Sequence, residues 1–264
     1  MICTTRKGHR KADEVDYAAL DYGRWSRSQR TARWVIGFLL KRLGRIRVAG
    51  MENIPASGPV LLTANHLSLL DGFLLFCLVP RPSIPFVKVE FNRRPFMNWI
   101  LTRFTNVIYL DRKKADFQAM FKGLTVLRSG GALGIAPEGH RSKTGGLGRG
   151  RTGVAYLAIK AVAPIVPIAL CGQERAVGCW LRGRRVPITV RVGPPIDLPP
   201  GKLNVSHFQA YTETVMLTLA RMLPPEYRGI YADRVQSENP GVATLVGEKE
   251  TSVEAVGQMT KCKQ

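Results

Sequence analysis

An α/β domain, with a mixed and largely parallel sheet flanked by helices, is predicted from three observations. Short apolar runs that read as buried strands alternate with segments of helical period. Pro, Gly and Ser punctuate the boundaries between them. The chain has 264 residues, 45% of them hydrophobic and 22% charged, ordinary globular values for a length that supports a buried core.

In chain order, residues 31–48 read first as an amphipathic helix. Val35, Leu39, Leu43 and Ile46 follow i, i+4, i+8, i+11 spacing, and Ile36 and Leu40 widen that face. Lys41, Arg42 and Arg45 lie opposite, on the side that also holds Trp34 and Phe38. Aromatics beside basic groups suit a helix lying in a membrane interface. A core-packed helix with a solvated basic face fits the same pattern, and both readings stay open here. Residues 59–64 read as a buried strand after an Ala-Ser-Gly-Pro turn, and 69–79 as a strongly apolar helix stopped by Pro80-Arg81-Pro82. Strands are expected at 86–88 and 106–110, a helix at 117–128 and a strand at 132–136. A helix at 153–163, strands at 165–170 and 187–192, and a final helix at 206–223 capped by Ser206 complete the domain. Residues 1–50 are expected to form a basic arm with the interfacial helix, 51–234 the single folded domain, and 235–264 a disordered polar tail without aromatics or sustained periodicity.

Several classes drop out on composition. Five cysteines, an odd number without a C-x-x-C pair, form neither a disulfide framework nor a zinc knuckle. Four histidines show no i, i+4 pairing or carboxylate cluster of ligand type, so no metal site is expected. The first twelve residues have no apolar signal-peptide core, and no run nears the roughly 18 apolar residues of a spanning helix. What stands out is charge: 39 Lys and Arg against 19 Asp and Glu give +20. Residues 1–50 carry 12 basic and 4 acidic groups, and 51–160 carry 15 and 6. Such an excess predicts an anionic partner: nucleic acid, a membrane surface or a phosphorylated substrate.

Asn65-His66-Leu67-Ser68-Leu69-Leu70-Asp71 falls where the first buried strand gives way to the apolar helix. Such junctions are where open α/β sheets expose functional groups. Histidine suits general-base work near neutral pH, and a carboxylate on its other ring nitrogen fixes the tautomer. On one straight helix, residues five apart stand about 140° apart around the axis, so His66 and Asp71 meet only if the chain bends between them. Ser68-x-x-Asp71 also fits a helix capping box, which would give both residues a structural task instead.

The segment resembles the lysophospholipid acyltransferase family, the 1-acylglycerol-3-phosphate acyltransferases, whose leading signature Asn-His-x-Ser-x-x-Asp is matched by Asn65, His66, Ser68 and Asp71. Lys88-Val89-Glu90 and Tyr109-Leu110-Asp111-Arg112 are similar to its second block. Pro137-Glu138-Gly139-His140-Arg141-Ser142 is similar to its third, with His140 where the family usually has Thr. Ala163-Pro164-Ile165-Val166-Pro167-Ile168 is similar to its fourth. The blocks keep the family's order over roughly residues 50–200.

The resemblance implies transfer of a fatty acyl group from acyl-CoA or acyl-carrier protein to the free hydroxyl of lysophosphatidic acid or a related lysophospholipid. His66 would be the base, oriented by Asp71, with no acyl-enzyme and no cofactor beyond the thioester; no Gly-x-Ser-x-Gly elbow is present. Arg112 and Arg141 are expected to hold the acceptor phosphate, with Glu138 and Gly139 shaping that site. Asn65, Ser68, Lys88 and His140 would support it, Lys88 by facing the thioester carbonyl. The protein is then expected at the cytoplasmic face of the cell membrane, peripheral or monotopic, with lipids and the acyl donor as partners.

Two glycine patterns in residues 145–153 imitate a dinucleotide fingerprint and a P-loop, but eight residues separate them from the nearest strand, whereas both motifs follow a strand directly. A flexible basic loop near the phosphate is the preferred reading. The rival from another class is a basic nucleic-acid-binding protein without catalysis, which the charge allows but no domain signature supports.

Overall fold

The computed structural model describes residues 15–111, 116–199, 204–237 and the backbone of 251–252. The chain begins with α1 (Arg27–Leu43), β1 (Gly44–Ala49), β2 (Val60–Ala64), α2 (Leu70–Leu78) and β3 (Ser83–Lys88). It continues through α3 (Pro95–Phe104), β4 (Ile108–Leu110), α4 (Phe117–Arg128), β5 (Ala132–Ile135) and α5 (Gly153–Ala161). β6 (Ile165–Cys171), α6 (Ala176–Leu181), β7 (Val186–Val192), α7 (Val205–Met222), α8 (Ala232–Ser237) and the two-residue β8 (Thr251–Ser252) follow.

The strands form one sheet in the order β4-β3-β5-β2-β6-β7-β1-β8. The five from β4 to β6 are mutually parallel, β7 runs antiparallel to β6, and β1 returns parallel to β7. This is the mixed, largely parallel sheet expected. Every residue of β2 is buried, as its continuous apolar run requires of a central strand covered on both faces. Its pleat sends Val60, Leu62 and Ala64 to one face and Leu61 to the other. On the first face α1, α2 and α6 pack through Leu40, Leu74, Leu78 and Ala176. On the second lie α4, α5 and α7, through Leu124, Leu127, Leu157 and Val215.

This topology positions the site. α2 leaves β2 toward one face and α5 leaves β5 toward the other, although β2 and β5 are neighbours. Connections that diverge from adjacent strands open a crevice beyond the strands' carboxyl ends, where open α/β sheets bind ligands. The loops that begin at Asn65 and Ala136 both emerge there.

Five expectations are corrected. The helix predicted for 31–48 stops at Leu43, because Gly44 turns directly into extended backbone and starts β1. Ile46 is buried as a strand residue; strand alternation after Gly44 imitated a further helical turn. The expected inward stripe Val35, Leu39 and Leu43 is exposed, together with Trp34 and Phe38 at 67% and 59%. The inward face is instead Ala32, Ile36 and Leu40, with Arg33 stacked 4.1 Å from the Trp25 ring and donating to the Phe76 carbonyl. A boundary at residue 50 would therefore cut the sheet, since β1 pairs with β7 over six residues. A tail beginning at 235 would cut α8, where Val235 is buried. The cap of α7 is Asn204, whose side chain accepts from His207 N in a reciprocal capping box; Ser206 lies inside the helix and donates to Asn204. No helix among the described residues is long and apolar enough to cross a membrane.

Candidate active site

β2 delivers its last residue into the crevice and the chain bends there at once. Asn65 makes the bend: its side-chain amide donates to the Leu170 carbonyl and accepts from Leu170 N, both at 2.8 Å. The paired bonds tie the turn to β6 as a ladder rung would. Beyond the bend, His66 Nδ1 lies 2.7 Å from Asp71 Oδ2. The same oxygen accepts from Leu67 N at 2.8 Å and Ser68 N at 3.0 Å, while Ser68 Oγ accepts from Leu70 N. Only half of the capping box forms: α2 begins after Leu69 without a side-chain cap. Asp71, in the first turn of the helix, gathers the preceding backbone amides and presents the same carboxylate to the ring of His66.

Asp71 Oδ1 accepts from Gln173 Nε2 at 2.9 Å. Asp71 is 3% exposed, so its charge is supported by donors rather than by solvent. Gln173 was not among the residues singled out on the sequence, where a lone polar residue after a strand carries no pattern. It reaches Asp71 because Gly172, at φ 94°, turns the chain sharply after β6; a Cβ there would stand 2.0 Å from the Pro187 carbonyl oxygen.

The second wall comes from the loop after β5. Glu138 is 1% exposed. Its Oε2 accepts from Gly148 N at 2.8 Å, and its Oε1 faces His66 N at 3.4 Å. Burial pushes its carboxyl above the usual glutamate range, against the opposing pull of those two amides and of the nearby His140 and His66 rings. Expected on the sequence to shape the phosphate site, Glu138 joins two loops by their backbones. Ser142 N closes the link by donating to the His66 carbonyl at 2.8 Å.

Gly139 adopts the left-handed conformation at φ 74°, and a Cβ there would stand 2.7 Å from Arg151 Nε. Arg151, also not singled out, thus lies over the turn that carries the exposed His140 and Arg141. The His140 ring faces the Arg141 carbonyl at 3.2 Å. The glycine-rich stretch is not the flexible loop expected. Leu147 N donates to the Tyr227 carbonyl, Ile230 N to the Leu147 carbonyl and Arg151 N to the Pro137 carbonyl. Glycine is needed for close approach, since a Cβ at Gly150 would meet Met216 of α7 at 2.6 Å.

Hydrogen bonds therefore join His66, Ser68, Asp71 and Glu138, with Asn65 adjacent to His66 in the chain and Gly139, His140 and Arg141 following Glu138 in its loop. Lys88 is exposed at the end of β3 and pairs with Glu90 at 3.0 Å. Among the described residues its ion pair is with Glu90, not with the dyad. Arg112 lies outside the described residues. Among the described residues no cluster of three or more His, Cys, Asp or Glu could hold a metal ion.

With Nδ1 held by a carboxylate, Nε2 is the ring nitrogen left to take a proton from an incoming hydroxyl. Such an arrangement can do general acid–base chemistry beside a cationic rim.

Comparison with known proteins bears on the family and the fold. The family model described as Acyltransferase matches residues 45–171, a span that runs from β1 to the end of β6. A 1-acyl-sn-glycerol-3-phosphate acyltransferase of Borreliella burgdorferi is 30% identical over 128 residues, 48% of this chain and 51% of that protein. One from Limnanthes douglasii is 30% identical over 198 residues, 72% of this chain and 66% of its own. The chain thus spans about half to two thirds of the length of these curated relatives. The crystal structure of a 1-acyl-sn-glycerophosphate acyltransferase from Thermotoga maritima shares the fold with a TM-score of 0.55 and 23% identity, covering 71% of this chain and 76% of that one.

Proposed function

Because the chain belongs to the lysophospholipid acyltransferase family, we propose that it transfers a fatty acyl group from a thioester, acyl-CoA or acyl-carrier protein, to the free hydroxyl of 1-acylglycerol-3-phosphate, giving phosphatidic acid. The observation that carries this reading is the 2.7 Å contact between His66 Nδ1 and Asp71 Oδ2, on a carboxylate whose other partners are all donors.

His66 Nε2 takes the hydroxyl proton as that oxygen bonds to the thioester carbonyl carbon. Asp71 stabilises the imidazolium that forms without itself taking the proton. When the carbon–sulfur bond breaks, the imidazolium returns the proton to the thiolate, so the histidine ends neutral and no acyl-enzyme intervenes. The chemistry calls for no cofactor beyond the thioester. Arg141, exposed on the crevice rim, and Arg112 are assigned to the acceptor phosphate, for which guanidinium offers planar paired donors. Glu138 holds the two loops in register and does not contact phosphate itself. Nucleic acid is not a partner in this reading; the basic surface serves lipid and phosphate. The protein works at the cytoplasmic face of the membrane as a peripheral enzyme, with Trp34 and Phe38 of α1 facing lipid.

The test is acyl transfer from labelled acyl-CoA and from acyl-carrier protein to lysophosphatidic acid, with His66→Ala as its partner. Turnover should fall by about a thousandfold or more while the thermal melting curve is unchanged. Near-normal turnover in that variant would remove the base assignment. No transfer from either donor, alongside tight salt-dependent binding of DNA or RNA, would overturn the enzyme reading altogether.

A further inference from the structure

α6 carries a feature that acyl transfer at the dyad does not use. It is only six residues long and packs inward through Ala176, Cys179 and Trp180. Yet Val177 and Leu181, one helical turn apart, are 65% and 83% exposed. Arg182, Arg184 and Arg185 follow at once. The helix is latched to the end of α1: Trp180 Nε1 donates to the Leu43 carbonyl at 3.0 Å, and Arg185 to the carbonyls of Lys41 and Gly44. Residues 27–47 and 175–191, the two segments so joined, contain 12 basic residues and no acidic one.

We propose that α6 and the carboxyl end of α1 form one docking surface for an anionic lipid bilayer. Val177 and Leu181 enter the headgroup region, and Arg182 and Arg184 meet lipid phosphates. This rests on the lipid-acceptor reading above. Charge complementarity favours a bilayer over a folded protein. A stable protein interface covers about 800 Å² per partner around an apolar centre, whereas two aliphatic side chains ringed by cations make a shallow wedge. An anionic leaflet is drawn to such a patch by charge and accepts a wedge of that depth. The surface is also continuous with α1, whose Leu39 and Leu43 are exposed beside it. α6 begins three residues after Gln173, the partner of Asp71, so docking here brings the crevice to the layer that holds the acceptor.

The experiment is flotation of the full chain with vesicles of equal parts phosphatidylcholine and phosphatidylglycerol. Val177→Ser/Leu181→Ser should bind roughly tenfold more weakly, from the lost aliphatic burial. Arg182→Gln/Arg184→Gln should lose about fivefold per charge at low salt, and nothing on pure phosphatidylcholine. Val162→Ser, an exposed valine on the other face of the sheet, should bind as the parent does. All variants should melt as the parent does and turn over water-soluble short-chain lysophosphatidic acid at the parental rate. Parental vesicle binding by both double variants overturns the proposal. So does unchanged vesicle binding with a raised KM for acyl-carrier protein, which would assign the patch to an acidic protein. Slowed turnover of the soluble acceptor also overturns it, by placing the tip in the site. A parent protein that transfers no acyl group would sink the enzymatic reading while leaving the vesicle comparison readable.

Discussion

The two walls of the crevice are built on different principles. The wall after β2, residues 65–71, is fixed by side chains that bond to backbone: Asn65 to β6, Asp71 to the start of α2, Gln173 to Asp71. Asn65, Asp71 and Gln173 are buried, and of their side-chain polar atoms Gln173 Oε1 is the one without a partner. The wall after β5, residues 137–151, is fixed mainly by backbone turns and by one buried carboxylate, and it leaves His140 and Arg141 in solvent. The first suits a group that must hold one orientation through a proton transfer. The second suits recognition of a ligand that arrives with its own charge. Damage to the first wall should therefore appear in turnover, and damage to the rim of the second in acceptor affinity.

Gln173→Leu is the strongest way to break that contrast. It strips a donor from Asp71 Oδ1 in a site water does not reach, and hydrogen bonds to charged groups are worth about 1.5–3 kcal/mol. Turnover should fall about tenfold to a hundredfold with KM unchanged. A variant that melts early but keeps the parental turnover would make Gln173 merely structural.

Glu138→Gln sharpens the contrast from the other side. Burial raises the Glu138 carboxyl in the folded protein above its unfolded value. Folding then favours the protonated form, so this group's contribution to stability is full below the ordinary glutamate range and declines as pH rises through the raised value. Glutamine cannot ionise, so the parent's advantage over the variant, read from urea midpoints, should shrink as pH rises through that interval. The swap also sets an amide NH2 against one of two backbone donors, which costs about 1–3 kcal/mol at the acidic end. A pH-independent gap would mean the carboxyl is not raised.

How much of these walls the sequence disclosed follows from the same difference. The first wall was legible because a buried strand, a bend and an apolar helix are each local, and Asn65, His66, Ser68 and Asp71 fall within seven residues. Gln173 was not, since it reaches Asp71 only through the β2–β6 pairing, a contact about a hundred residues apart in the chain. In the second wall the glycines were visible but their reason was not: Gly150 answers to Met216 of α7, which no local pattern reports. α3 also went unread, although Pro95 stands at its first turn, because its ten residues have no buried stripe to set a period. At α1 the helical period ran on into β1, because Ile46 is inward in either geometry.

The smallest effect is expected at Arg141. It is exposed, so its guanidinium is hydrated before the acceptor binds and gains only the difference between water and a phosphate ester. Arg151 lies against Gly139 in the same turn and supplies a second cation. Arg141→Ala should therefore raise the acceptor KM severalfold, about 1 kcal/mol, with kcat nearly unchanged. The difference from the parent should narrow as salt rises, because an exposed ionic contact is screened within about 10 Å at 0.1 M. Arg141→Lys should recover only part of the affinity, since a point charge lacks the paired planar donors. A fall in kcat comparable to that of Gln173→Leu would place Arg141 at the reacting atoms and erase the division of labour between the two walls.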